Sequence, residues 1–189
     1  MFIVLMGPPG CGKGTQSAKL IELLGVAHLS TGDILRQMAQ VDTPLGRRVA
    51  ECLDQGTLVS DELIVDLVAE RIKQPDCRPG CLLDGVPRNV PQAQSLDELL
   101  ATSKTAVDAV VEMQVDEEEL FSRLMRRAET EGRSDDNSET VRHRMAVYRR
   151  ETAPILDHYR QQQKLRSIDA SGTPEEVFER IEAVLVGLN

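Results

Sequence analysis

The chain has 189 residues, of which 41% are hydrophobic and only 3% aromatic, with no tryptophan and a formal charge of −9. That length supports one main domain with an aliphatic core and small appended lobes, and the acidic balance excludes a general nucleic-acid binder, whose footprint would be basic. No stretch reaches transmembrane length and the apolar start lacks the basic leader of a signal peptide, so no membrane association is expected. Cys11, Cys52, Cys77 and Cys81 are scattered and read as reduced thiols of a cytoplasmic protein. Cys77 and Cys81 have a loosely metal-like spacing but no second Cys or His pair beside them, so no zinc is expected.

Phe2-Ile3-Val4-Leu5-Met6 has the length of a buried strand, and Gln16 to Leu24 carries apolar residues at helical spacing. Between them lies Gly7-Pro8-Pro9-Gly10-Cys11-Gly12-Lys13-Gly14-Thr15. Strand, glycine-rich turn and helix is the context in which G-x-x-x-x-G-K means phosphate binding. The glycines let successive backbone N–H groups face an anion, and the helix N-terminus adds its positive dipole end. Lys13 would lie across the β- and γ-phosphates and Thr15 would turn a hydroxyl toward Mg²⁺; Gly14 stands where the general pattern has Ser or Thr. A dinucleotide fingerprint fails, because G-x-G-x-x-G begun at Gly10 meets Thr15 and begun at Gly12 meets Ser17.

A short strand at Ala27–Leu29 is followed by Ser30-Thr31-Gly32-Asp33-Ile34-Leu35-Arg36, a helix start capped by Ser30 or Thr31. Helical periodicity returns over Thr43–Leu53, Asp61–Lys73, Val90–Leu100, Glu117–Arg127, Ser138–Gln163 and Glu175–Leu188, with strands at Cys81–Asp84, Ala109–Val115 and Leu165–Ile168. The alternation implies an α/β fold: three α/β/α layers around a five-stranded parallel sheet, with ligands at the strands' carboxyl ends. Asp84-Gly85-Val86-Pro87-Arg88 ends a strand, where an Asp beside a phosphate loop suits ordering of hydrated Mg²⁺. Glu129 to Asn137 is polar throughout and flanked by Arg123, Arg126, Arg127, Arg142 and Arg144, which by itself reads as a solvated charged hairpin and, more sharply, as a flap bringing arginines to phosphates; Pro154 is expected to bend the long helix. His28, His143 and His158 stand away from the phosphate motifs and are read as structural or surface residues.

In combination these motifs resemble the adenylate kinases of the nucleoside monophosphate kinase family, over essentially the whole chain. Gly7–Thr15 is similar to the family's G-x-P-G-x-G-K-G-T loop, Gly14 included, and Ser30–Arg36 to its S-T-G-D-x-x-R segment. Gly56-Thr57-Leu58-Val59 resembles the stretch that holds the monophosphate's base, Asp84–Arg88 resembles D-G-F-P-R with Val86 in the aromatic's place, and Gly132-Arg133-x-Asp135-Asp136 resembles a short lid. The long lid insertion with four zinc-binding cysteines is absent.

The resemblance implies a single P-loop kinase domain over 1–189, with a helical monophosphate lobe at 30–59 and a short lid at 127–137. It implies reversible phosphoryl transfer from MgATP to AMP, with Mg²⁺ brought by the nucleotide, ATP and AMP as partners, and a monomer. ATP would meet Gly10, Cys11, Gly12, Lys13, Gly14, Thr15, Arg123, Arg127 and the backbone of Gly172. AMP would meet Thr31, Arg36, Thr57, Leu58, Val59, Gly85, Val86, Pro87, Arg88, Gln92, Arg133 and Arg144. Lys13, Asp84, Arg88, Arg127, Arg133 and Arg144 would form the catalytic set, Asp33, Asp84 and Thr15 would order the Mg²⁺ waters, and Asp135 and Asp136 would orient lid arginines. Thr31 and Gln92 favour adenine over the alternative, a UMP/CMP kinase, where a small apolar residue and Asn are usual. A GTP-binding switch protein is disfavoured because Asp-x-x-Gly occurs only as Asp169-Ala170-Ser171-Gly172 and N-K-x-D is missing. A catalytically dead relative is disfavoured by Lys13, Asp84, Arg88, Arg133 and Arg144.

Overall fold

The Phe2–Met6 run has no polar face, and it forms a strand, β1, buried along its whole length. In the computed structural model, which describes residues 1–131 and 137–187, β1 pairs in parallel with β3 (Cys81–Asp84) on one edge and β4 (Ala109–Gln114) on the other. The outer strands are β2 (Ala27–Ser30) beside β3 and β5 (Leu165–Asp169) beside β4, giving the parallel order β2-β3-β1-β4-β5. The expected five-stranded parallel sheet is therefore present. Sequence-adjacent segments part to opposite sides of β1, and the resulting crevice at the strands' carboxyl ends is where ligands bind in such sheets.

Alternation along the strands divides the core in two. Phe2, Val4 and Met6 join Leu29, Leu83 and Val110 under α4 (Asp61–Ile72), α5 (Val90–Thr102) and α8 (Pro154–Gln161), through Ile64, Val68, Leu96, Leu100, Ile155 and Tyr159. Ile3 and Leu5 join Leu82, Val111 and Met113 on the other face, under α1 (Lys13–Leu24), α6 (Glu117–Glu131) and α9 (Pro174–Leu185). These are the three layers. Tyr159 is the one aromatic among the largest fully buried side chains, in keeping with an aliphatic core.

Helix starts follow their capping residues. Ser30, and not Thr31, caps α2 (Thr31–Ala39), accepting from the Asp33 N–H at 3.3 Å. Thr43 caps α3 (Pro44–Gln55), and Thr173 with Glu176 forms a reciprocal capping box on α9. The segment read as one helix from Ser138 to Gln163 is interrupted well before the proline. α7 (Ser138–Val147) passes into a π-helical turn, Tyr148–Thr152, before α8. Pro154 cannot donate to Arg150 and its ring crowds that carbonyl; the backbone widens ahead of it, with the Ala153 N–H reaching five residues back to Tyr148 at 2.9 Å. Among the described residues, no helix is long and apolar enough to cross a membrane.

α2 and α3 pack closely because of Gly46. A Cβ there would fall on the Val41 carbonyl and within 2.7 Å of that of Met38. Gly46→Ala is expected to destabilise the fold by about 1–3 kcal/mol, the usual cost of overpacking, read as a lower urea midpoint at unchanged slope.

Candidate active site

The turn after β1 depends on glycine for shape and for space. Gly10 has φ 84° and Gly12 φ 99°, and a Cβ on Gly10 would come within 2.8 Å of Leu124 Cγ. The loop therefore lies directly against α6 and delivers Gly12-Lys13 to the N-terminus of α1. Lys13 Nζ donates to the Gly7 carbonyl at 2.7 Å and the Pro8 carbonyl at 3.2 Å, with Cys11 Sγ at 3.5 Å. Its ammonium thus arches over the loop it belongs to. Cys11 is itself buried.

Beside this loop, β3 ends in Asp84. Ser17, one helical turn after Lys13, donates to the Lys13 carbonyl at 2.9 Å and to Asp84 Oδ2 at 3.4 Å. His28 Nε2 stands 3.8 Å from the same Oδ2, and His28 lines the cleft. This corrects the expectation that no histidine lies near a phosphate motif. β2 pairs with β3 with Ser30 opposite Asp84, a juxtaposition invisible to local reading. Burial pushes the Asp84 carboxyl up, but the neighbouring His28 ring and the charges of Lys13 and Arg88 outweigh it, and the group sits below the usual carboxylate range. Asp33 is likewise lowered: burial opposes, and its bonds from Arg36, at 2.5 Å, and Ser30 prevail.

One cleft of about 840 Å³ gathers most of the expected residues. From the loop and α1 it takes Gly10, Cys11, Gly12, Lys13, Gly14 and Thr15; from α2, Asp33 and Arg36; from the end of β3, Asp84, Gly85, Pro87 and Arg88. α6 contributes Arg123, Arg126 and Arg127, α7 contributes Arg144, and the β5–α9 loop contributes Gly172. Arg123 is braced by Glu119 at 2.5 Å and the Ala170 carbonyl at 3.1 Å. A smaller recess of about 60 Å³ adjoins it, lined by Thr31, Arg36, Thr57, Leu58, Val59, Arg88, Gln92 and Arg144 among others. Val86 lines neither; its side chain is 3% exposed and packs in the core. Gly85, at φ 83°, leaves room for the Thr31 hydroxyl, which would lie 2.8 Å from a Cβ. Gly132, Arg133, Asp135 and Asp136 lie outside the described residues.

Sequence reading misses Ser17, His28 and Thr152, whose hydroxyl donates to the Arg88 carbonyl at 2.8 Å. Only Ser17 leaves a signal, its four-residue spacing from Lys13 on one helix face. His143 is exposed, whereas His158 bonds Asp97 at 2.9 Å between α8 and α5, a structural role as read.

The family profile described as adenylate kinase matches residues 5–164. The chain is 48% identical over 185 residues to the adenylate kinase of Maricaulis maris, covering 98% of each chain. It is 47% identical over 183 residues to an adenylate kinase of Thermus thermophilus, covering 97% of this chain and 96% of the other. Identity to the adenylate kinase of a Mycobacterium species is 51% over 180 residues, covering 95% and 96%.

Because the folded Asp84 value is depressed, its charge contributes stability above the unfolded value of about 4 and loses it as pH falls through the folded value. Asp84→Asn is expected to be less stable than wild type near neutrality, with the gap closing below about pH 4. Urea unfolding at stepped pH checks this; a pH-independent gap contradicts it.

Proposed function

The chain belongs to the adenylate kinase family, and we propose that it moves the terminal phosphoryl group of MgATP to AMP, reversibly, through the residues that face this one cleft. One observation carries the reading. The phosphate loop with Lys13, the Asp84 carboxylate and arginines from three separate elements, Arg88, Arg123 or Arg127, and Arg144, line a single cavity. An ATP:AMP phosphotransferase must hold two polyanions in line against their mutual repulsion, which is a task of positioning and electrostatics.

The acceptor supplies its own nucleophile. The second pKa of a phosphate monoester is about 6, so an AMP oxygen is anionic near neutrality and no general base is required. Lys13 would leave its loop carbonyls for the β- and γ-phosphates, and loop N–H groups from Gly10 to Thr15 would bind the donor. Arg123, Arg127 and the Gly172 backbone are assigned to ATP. Arg36, Arg88 and Arg144 are assigned to the AMP phosphate and the transferred group, because planar guanidinium suits bidentate contact with phosphate oxygens. Arg133, and Asp135 and Asp136 as its orienting partners, keep these roles from the family resemblance. Thr31, Thr57, Leu58, Val59, Gly85, Val86, Pro87 and Gln92 form the base and ribose side of the AMP site, Val86 and Pro87 by backbone and packing.

The donors available to a metal are oxygens: the exposed Thr15 hydroxyl, the Asp84 carboxylate held in its charged form, and Asp33. Among the described residues no three His, Cys, Asp or Glu side chains gather into a metal cage. Such a set fits a hydrated Mg²⁺ carried by the nucleotide and ordered through water, and the ion, when bound, neutralises charge on the transferring phosphates. Closure of residues 30–59 and 127–137 around both substrates would exclude water as a competing acceptor. The four cysteines are unbridged, in keeping with a reducing, cytoplasmic setting, and a monomer fits the reading because the described residues that line the cleft come from a single chain.

Lys13→Ala is expected to keep its fold and lose most phosphoryl transfer, with kcat falling more than nucleotide affinity, because the ammonium matters most as charge spreads in the transition state. Near-wild-type turnover would refute the loop assignment. In a coupled assay with ATP and each monophosphate in turn, AMP is expected to exceed UMP and CMP by tenfold or more, roughly the effect of one buried polar group left unpaired. Equal use of UMP or CMP would sink the adenine reading.

A further inference from the structure

Gln92 is 2% exposed and lines the small recess, yet its side-chain amide is not positioned by the recess itself. Its Oε1 accepts the Arg88 N–H at 2.8 Å, and its Nε2 donates to Asp61 Oδ1 at 2.7 Å. Asp61 is the first residue of α4, behind the Ser60 cap. The side-chain amide of Asn89 grips both its oxygens, at 2.8 and 3.1 Å. The Asn89 Oδ1 in turn accepts the Gln92 N–H at 2.8 Å and caps α5. The four residues form a closed polar ring between α4 and the loop entering α5.

The chemistry of the two neighbours decides which way the amide points. A backbone N–H can only donate and a carboxylate can only accept. Turning the Gln92 amide over would set NH₂ against N–H and oxygen against carboxylate, so both contacts select the same polarity. One N–H and one oxygen lone pair of Gln92 then remain for a ligand, in fixed order. A 6-aminopurine offers an exocyclic N–H beside a ring acceptor and matches such an amide bidentately. On its N1 edge a 6-oxopurine presents the reverse order, acceptor then N–H, and on its N7 edge two acceptors. An amide able to flip would read either base.

We propose that Asp61 is a specificity-positioning residue: it lines neither cavity, and together with the Arg88 N–H it holds the polarity of Gln92 so that the acceptor site selects a 6-amino over a 6-oxo purine monophosphate. The inference rests on the assignment of Gln92 to the AMP base. The test is a double-mutant cycle of Asp61→Ala, Gln92→Ala and the pair, with KM and kcat measured for AMP, for inosine monophosphate and for ATP. Asp61→Ala is expected to raise the KM for AMP about tenfold, as for a lost hydrogen bond to a charged group, and to lower the AMP-over-inosine-monophosphate preference about as much, with the KM for ATP unchanged. In the Gln92→Ala background the same substitution is expected to change neither quantity further, since coupled residues are not additive.

A purely structural Asp61 would instead lower Tm and shift both substrates equally, with additive effects, and that result overturns the proposal. Should Asp61→Ala fail to fold, Asp61→Asn carries the same cycle, because its isosteric amide can both donate and accept and so leaves the Arg88 N–H as the one contact of the pair that still favours a polarity. If Gln92→Ala leaves the KM for AMP unchanged, the base assignment falls and the proposal with it. If wild type does not phosphorylate AMP at all, the functional reading itself has failed, which is a separate result.

Discussion

Everything in the cleft hangs from the carboxyl end of β1. This strand is apolar on both faces and paired on both edges, so its end point is fixed by two cores and two ladders at once. A loop leaving such a strand is positioned by the whole domain. Pairing with β3 aligns Leu5 with Asp84, which brings the acidic residue beside the phosphate loop, and pairing of β2 with β3 adds His28 and the start of α2. The parallel register thus assembles in space what lies roughly 10, 30 and 84 residues along the chain.

Electrostatics then explains how an acidic protein keeps a cationic cleft. Several of its cations have intramolecular partners: Lys13 rests on loop carbonyls, Arg36 on Asp33, and Arg123 on Glu119 and the Ala170 carbonyl. Each bond satisfies a charge and also aims the side chain along one wall. Phosphate binding at these side chains would exchange one set of partners for another, so the gain would be a difference between two satisfied states and not the full strength of each new contact. Asp84 lies below the usual carboxylate range partly through the charges of Lys13 and Arg88, which are themselves held by backbone carbonyls. The network is mutually supporting, and removal of one member is felt by the others.

Much of this is legible in the sequence because the chemistry is local. The glycine-rich loop, the Ser30 to Arg36 segment and the strand-ending Asp84 announce themselves because each needs particular residues at neighbouring positions. Strands and helix starts follow from apolar runs and capping residues, and Thr173-Pro174-Glu175-Glu176 becomes a capping box. What escapes is long-range or depends on backbone detail. His28 acquires its meaning from strand pairing. Asp61 acquires its meaning from an amide at Gln92, thirty-one positions on. The π-helical turn at Tyr148–Thr152 answers to Pro154, but the sequence places the bend at the proline, whereas the backbone accommodates it upstream. Val86 departs from the family's aromatic, and it packs as an ordinary core residue.

The two halves of the cleft differ in what they are made of, and this bears on selectivity. On the donor side the contacts expected are largely backbone: loop N–H groups and the Gly172 segment, with Arg123 braced against a carbonyl. Backbone N–H groups directed at phosphates contribute affinity without reading the base. On the acceptor side the recess is finished by side chains, with Thr31 donating to the Asp84 carbonyl at 3.4 Å and Gln92 held in its polar ring. Both are buried, and a buried polar group built for one base edge is left unpaired by another, which is where discrimination becomes large. On this reading the donor site is chiefly a phosphate holder. The acceptor site would then be the selective one, its selectivity set by residues that fix the direction of a hydrogen bond.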